Sequence, residues 1–351
     1  MVALATQAQQ HSGSIPIMQV DSLLKTIYRD NEPGASIAIL QNNRLFKHSY
    51  GLRDLKTTEK ITSKTNFNIG SLTKQFTAMA ILQLAARKKL SLQDHLDKFF
   101  PELTKKIAET VNVQQLLTHS SGIIDHYDYV DTKQIRHAHD ADVLNGIKNI
   151  DSSYFTPGSN YRYSNTAFCL LALIIERLSG MPYATYLKKN IFEPLGMTNT
   201  SVWSENEAIR YVATGYEYEK LTGSFQRSCA DENIFFSTEG DGGIYTSIDD
   251  YLKWMRALQS GKIFSATSVK LARSPQFPIN KEKHLSYGYG WFVDKSSVPS
   301  KIYHSGTNGG FRTYSFTIPD ERYMIVVFSN RTGIDLEQLV SEINKILRPA
   351  R

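Results

Sequence analysis

The chain is 351 residues long, 41% hydrophobic and 21% charged, with a net charge of +6 at pH 7. This is the composition of an ordinary globular protein long enough to bury a large core, as one large domain or two intimate ones. Its lysines and arginines are scattered rather than clustered, which leaves nucleic-acid binding without support, and no apolar run approaches the roughly 20 residues a membrane helix needs.

Residues 1 to 14 read as a polar, flexible lead-in, without the basic start and apolar stretch of a signal peptide. A trimmed exported protein looks the same, and a periplasmic or secreted setting is expected ahead of a cytoplasmic one. Ile17 to Asp30 carries apolar residues at helical spacing. Ala35 to Leu40 and Arg44 to Tyr50 read as strands joined by a turn at Gln41-Asn42-Asn43. Phe67-Asn68-Ile69-Gly70 is an extended run that stops at glycine. Ser71 then opens a long helix with Phe76, Met79, Ala80 and Leu84 on its apolar side.

From about residue 75 to 235 the pattern is mainly helical. Leu96 to Leu103 is broken by Pro101, and Val113 to Thr118 leads into His119-Ser120-Ser121-Gly122. His126 to Asp142 reads as a polar surface excursion. Asn165 to Leu178 is a strong helix with Asn165 as its cap, closed by Gly180 and Pro182. Past Gly240-Asp241-Gly242-Gly243, a helix is expected over Ile248 to Leu258. Strands follow over Tyr287 to Asp294, Ile302 to Ser305, Phe311 to Ile318 and Tyr323 to Ser329, the last two a hairpin about Pro319-Asp320. Asp335 to Leu347 closes the chain as an amphipathic helix. The expected fold class is therefore α/β of the α+β kind: one antiparallel sheet built from both chain ends, flanked by helices, with a mainly helical insertion. Residues 15–70 and 240–351 form the sheet region and 71–239 the helical region, with the active site at their interface.

Three short motifs carry chemistry. Ser71 and Lys74 are three apart and share a helix face; an ammonium shifted toward neutrality takes the proton of a neighbouring hydroxyl. The pattern is cheap, and Ser22-Leu23-Leu24-Lys25 repeats it on what reads as a solvated face. Tyr163-Ser164-Asn165 stands at the mouth of the strong helix, offering a phenol for proton transfer and a carboxamide for a carbonyl or a lysine. An aromatic packed under a loop beside a capping Asn is the plainer reading. His304-Ser305-Gly306-Thr307 lies between two strands, where an edge pairs with a substrate chain and donates an N–H to an oxyanion. His11-Ser12-Gly13 repeats that triplet in the lead-in, so the context gives it meaning.

In this order the three motifs resemble those of the penicillin-recognising serine hydrolases, and within them the class C β-lactamase-like family of β-lactamases, D-aminopeptidases, D-alanyl-D-alanine carboxypeptidases and family VIII-type esterases. Leu116-Leu117-Thr118-His119-Ser120-Ser121-Gly122, Pro194-Leu195-Gly196-Met197, Tyr287-Gly288-Tyr289-Gly290-Trp291 and Gly309-Gly310-Phe311 agree, and the likeness covers roughly residues 30 to 330. The resemblance implies a β-lactamase/transpeptidase-like fold. Ser71 becomes the acylated nucleophile, and Lys74 and Tyr163 share proton transfer, with the identity of the base left open. Asn165 orients substrate, and the backbone N–H groups of Ser71 and of Thr307, the residue after Gly306, form the oxyanion hole.

One residue departs from the β-lactamase pattern: His304 stands where lysine is usual. An imidazole titrating near neutrality is a weak partner for a penicillin carboxylate. The expected function is thus a serine hydrolase acting through an acyl-enzyme on esters or on D-amino-acid-containing peptides and amides. β-Lactamase or D-alanyl-D-alanine carboxypeptidase activity comes second, and a β-lactam-binding scaffold with little turnover is the alternative of another class. The partner is a small-molecule or peptide substrate. No cofactor is expected: His137-Ala138-His139-Asp140 lacks a partner set for a metal, and Cys169 and Cys229 have neither metal nor disulfide spacing. His119 is expected to be structural and Arg312 a solvent-facing strand residue.

Overall fold

The computed structural model describes residues 16–128, 137–228 and 234–349. The lead-in over 1 to 14, with its His11-Ser12-Gly13 triplet, and Cys229 lie outside the described residues.

Both chain ends meet in one sheet. β1 (Ala35–Gln41) and β2 (Arg44–Tyr50) form a hairpin about Asn42 and Asn43, whose φ values of 51° and 61° match the twist of the flanking strands. β3 (Phe67–Asn68) and β4 (Ser201–Val202) belong to a small three-stranded sheet, and β5 (Tyr216–Glu219) and β6 (Ser224–Arg227) form a separate hairpin. β7 (Ile244–Thr246) is the middle strand of the small sheet. β8 (Phe277–Asn280), β9 (Leu285–Tyr287), β10 (Phe292–Asp294), β11 (Lys301–Asn308), β12 (Phe311–Ile318) and β13 (Tyr323–Ser329) complete an eight-stranded sheet in the order β2-β1-β13-β12-β11-β10-β9-β8.

The pleat sorts the side chains of the central strands to two cores. Ile37, Ile39, Ile325 and Val327 pack with Val20 and Leu24 of the Ile17–Ile27 helix and with Leu339 and Ile343 of the Leu336–Leu347 helix. Ala38, Met324, Val326 and Phe328 point the other way, into a larger core with Phe76, Phe168 and Trp254. The layers are therefore terminal helices, sheet and helical mass. Among the described residues no single helix is long and apolar enough to cross a membrane.

Three expectations need correction. Tyr287 to Asp294 is not one strand: Gly288 donates to the Trp291 carbonyl at 2.8 Å, a tight turn that separates β9 from β10. The stretch His126 to Asp142 is not simply a surface excursion, since His126, Ala138 and Asp140 are buried. The Asp140 carboxylate is drawn inward by the backbone N–H groups of Glu239 and Gly240, each at 3.0 Å. Asn165 is not the cap of its helix, which runs Asn165–Ser179. Ser164 holds that place, its hydroxyl accepting from the Ala167 N–H at 3.1 Å.

Candidate active site

Ser71 sits just before the long helix, in a single 3-10 turn over Gly70–Leu72, and the α-helix runs Thr73–Ala86. That helix is buried on all sides from Thr73 to Leu84, so it passes through the core and carries Lys74 in with it. A buried ammonium has to find acceptors. Lys74 Nζ donates to Ser71 Oγ at 3.1 Å, to Asn165 Oδ1 at 2.8 Å and to the Asp241 carbonyl at 2.9 Å. Burial pushes its pKa down to about 8, against the opposing charge of Asp241 and, behind it, Asp125. Ser22 and Lys25, by contrast, are exposed.

Because Ser164 takes the capping work, the Asn165 carboxamide is free to accept from Lys74, while the Asn165 N–H donates to Asp125 Oδ2 at 3.1 Å. The Tyr163 ring lies 4.9 Å from Lys74 Nζ. Its buried hydroxyl has no well-formed hydrogen bond among the described residues. Burial raises its pKa well above the ordinary tyrosine value, although the nearby Ser71 hydroxyl works the other way.

His304 does not behave as its position in the motif suggests. The imidazole is buried, Nδ1–H donates to the Ser305 carbonyl at 2.7 Å, and Nε2 accepts from the Tyr287 hydroxyl at 2.9 Å. Burial pushes its pKa down to about 3, and the charge on Lys74 adds to the effect. The expectation of an imidazole titrating near neutrality is therefore corrected: His304 is neutral at physiological pH, with both nitrogens engaged inside the protein. His119 is buried against Tyr163, ring centroids 4.2 Å apart, and its Nδ1 accepts from the Ser164 N–H at 3.0 Å. Burial holds its pKa well below the usual histidine value.

β11 and β12 are joined at Gly309 and Gly310, whose φ values of 43° and 81° make a two-residue turn of the hairpin kind. The pair beside such a turn, Asn308 and Phe311, is hydrogen-bonded. The alternation of an antiparallel ladder then makes Thr307 and Arg312 a non-bonded pair, with the Thr307 N–H turned away from β12. It meets Gly70: a Cβ there would lie 2.7 Å from Thr307 N, and φ is +51°. On the facing strand a Cβ on Gly306 would lie 2.1 Å from the Ile69 carbonyl oxygen. Two glycines thus allow β11 to lie against the Ser71 turn. Arg312 is half-buried beside Thr307 and donates to the Phe311 carbonyl at 2.9 Å.

The structure brings Ser71, Lys74, Tyr163, Asn165, His304, Gly306 and Thr307 to one place, from three separate stretches of chain. It adds three residues that the motif reading left without a role. Asp241 accepts from Lys74 through its carbonyl, Asp125 fixes Asn165, and Tyr287 donates to His304. The Gly-rich surroundings of Asp241 and the Tyr287-Gly288-Tyr289-Gly290-Trp291 signature are the signals visible in the sequence. Asp140 parts from His137 and His139, which lie against Trp203, and joins Cys169 and Asp241, their ligating atoms within 4.8 Å of one another. Burial raises the pKa of the Asp140 carboxyl and the Cys169 thiol well above their usual values, which favours the protonated forms.

The Beta-lactamase family model matches residues 20–342. Penicillin-binding protein 4* of Bacillus subtilis is 31% identical over 312 residues, 85% of this chain and 68% of that protein. Protein flp of Staphylococcus aureus is 29% identical over 332 residues, 93% of this chain and 65% of that one. The chain thus spans about two thirds of the length of these curated relatives. Among solved structures, the octameric penicillin-binding protein homologue from Pyrococcus abyssi aligns with a TM-score of 0.81 at 26% identity, covering 94% of this chain and 77% of its own. The D-amino acid amidase from Ochrobactrum anthropi aligns with a TM-score of 0.75 at 20% identity over 95% of this chain and 100% of its own, a likeness of fold.

Proposed function

The chain belongs to the Beta-lactamase family of serine hydrolases, and on that premise we propose that it hydrolyses esters or D-amino-acid-containing amides and peptides through an acyl-enzyme on Ser71. The observation that carries the reading is Lys74 Nζ, buried and held between Ser71 Oγ and Asn165 Oδ1. With a pKa of about 8, about a quarter of Lys74 is neutral at pH 7.5, whereas burial keeps Tyr163 a phenol. Lys74 is thus the base of acylation. Ser71 Oγ attacks the acyl carbon as its proton passes to Lys74 Nζ. The negative oxygen of the tetrahedral species faces the N–H groups of Ser71 and Thr307. Tyr163, beside both groups, relays a proton to the leaving alcohol or amine, and water then releases the acid by the reverse path.

His304 supports the choice of substrate class. A neutral, internally bonded imidazole gives a substrate carboxylate no charged partner, an interaction worth about 1.5–3 kcal/mol elsewhere. An uncharged ester loses nothing by its absence. The proposal includes an exported setting.

Intact-mass spectrometry with a panel of short-chain esters, D-alanyl peptides and penicillins tests the reading. The expected result is transient acylation by esters or D-peptides, slow or persistent labelling by penicillin, and neither in Ser71→Ala. Ser22→Ala should match wild type. Equal labelling of Ser71→Ala and wild type removes Ser71 from the mechanism, and faster turnover of penicillin than of esters and peptides refutes the substrate class.

A further inference from the structure

A second cavity, of about 810 Å³, opens at the other end of the sheet from Ser71. Its walls come from the β1–β2 turn, the start of β11, the β12–β13 turn and the helices Ile248–Ser260 and Ala266–Ala272. Ile302 of β11 lines it, whereas Thr307, five residues along the same strand, lies at Ser71. Five residues of extended chain put about 17 Å between the two places. The volume falls within the roughly 300–1,000 Å³ of ligand sites.

Its chemistry is two-sided. Leu40, Leu45, Leu258, Val269, Val293 and Ile302 supply apolar wall, and Leu45 is left 41% exposed. Arg256, Lys270, Arg273, Lys295 and Arg322 supply cations, against the lone carboxylate of Asp320 among the lining residues. Among the described residues none of the five cations forms an ion pair; Arg322 reaches only the Asn43 carboxamide, at 3.4 Å. Arg273 is the inner one. Its Nη2 donates to Thr317 Oγ1 at 2.7 Å, but its Nε is buried with no partner among the described residues. Burial presses its pKa down to about 10. A guanidinium whose Nε is withdrawn from water without a counter-ion is costly to keep, and its planar fork is the natural complement of a carboxylate or phosphate.

We propose that this cavity binds an anionic amphiphile, its carboxylate or phosphate head on Arg273 among the surrounding cations and its apolar body against Leu40, Leu45 and Leu258. The site is separate from the acyl-transfer site and stands whether or not Ser71 is the nucleophile. An apolar ligand without charge would leave Arg273 unpaired, and a bare anion would leave the leucine wall wet. The ligand therefore has to bring both parts.

Calorimetric titration of the Ser71→Ala protein, in which no acyl transfer contributes heat, with decanoate, decyl phosphate, decanol and inorganic phosphate tests this. The two anionic amphiphiles should bind at one site at least about tenfold more tightly than decanol or inorganic phosphate, and the tighter of the two identifies the head group. Arg273→Met should weaken them at least about tenfold. The double variant Lys270→Glu, Arg322→Glu, at two exposed positions, should do likewise and guards against misfolding of Arg273→Met. Decanol or inorganic phosphate binding as tightly as decyl phosphate overturns the proposal, as does an affinity that neither variant moves.

Discussion

The Tyr287 hydroxyl lies 2.9 Å from Nε2 of His304, and this one contact, with the Ser305 carbonyl on the other nitrogen, closes the imidazole to both solvent and proton. Its consequence is a stability that falls in acid. The folded pKa of about 3 is below the unfolded value near 6.5, so the unfolded chain binds the proton first. The penalty is absent above pH 6.5 and grows as pH falls toward 3, reaching about 2 kcal/mol at pH 5 for His304 alone. His119, whose pKa is also depressed by burial, acts in the same direction. Urea unfolding at pH 7 and pH 5 should show the loss, and His304→Gln should reduce it. An NMR titration in which the His304 imidazole protonates between pH 6 and 7 contradicts the buried hydrogen-bonded geometry.

The second prediction concerns Lys74 and the charge behind it. kcat/KM should rise with pH along a limb centred near 8, where the free enzyme's lysine loses its proton. Asp241 is the largest influence holding that pKa up. Asp241→Asn keeps the backbone carbonyl that accepts from Lys74 but removes the charge, so the limb should move to lower pH. A limb that stays in place, or moves up, would mean that Asp241 does not act on Lys74 through its charge.

Lys74 and Tyr163 serve one proton path. Lys74→Met and Tyr163→Phe should each lower kcat/KM by on the order of 10²–10⁴-fold, with the lysine the costlier loss because it takes the first proton. The double variant should lose less than the product of the two. Strictly multiplicative losses in the double-mutant cycle would show two independent roles.

Gly70→Ala tests the backbone approach at the oxyanion position. The added methyl would stand 2.7 Å from Thr307 N in a conformation with φ of +51°. It should cost roughly 1–2 kcal/mol of stability for the strained backbone and lower kcat by about 10²–10³-fold through loss of an oxyanion donor. Thermal unfolding and steady-state kinetics separate the two effects. Wild-type kcat in Gly70→Ala would show that this contact does not set the oxyanion geometry.

Much of the fold is legible in the amino-acid sequence. The short apolar runs of Ala35 to Leu40 and Tyr323 to Ser329, the Asn42-Asn43 turn and the apolar stripes of the terminal helices are local patterns, and local patterns report element and turn type directly. The failures share a cause. Tyr287 to Asp294 divides because Gly288 turns the chain back. Asp140 goes inward because two amides of residues 239 and 240, about 100 positions away in the chain, require an acceptor. Neither partner is visible in a sequence window.

The site divides in the same way. The sequence by itself determined which residue types are present: a serine one helical turn from a lysine, a Tyr-Ser-Asn at a helix mouth, and glycines in a strand that must approach another backbone closely. The tertiary structure decided their charge states. Lys74 carries a pKa of about 8, and His304 one of about 3, because the core around them excludes water and particular neighbours at positions 241, 305 and 287 satisfy or oppose the charge. Desolvation and hydrogen bonding are properties of a place in space, and only the folded chain makes the place.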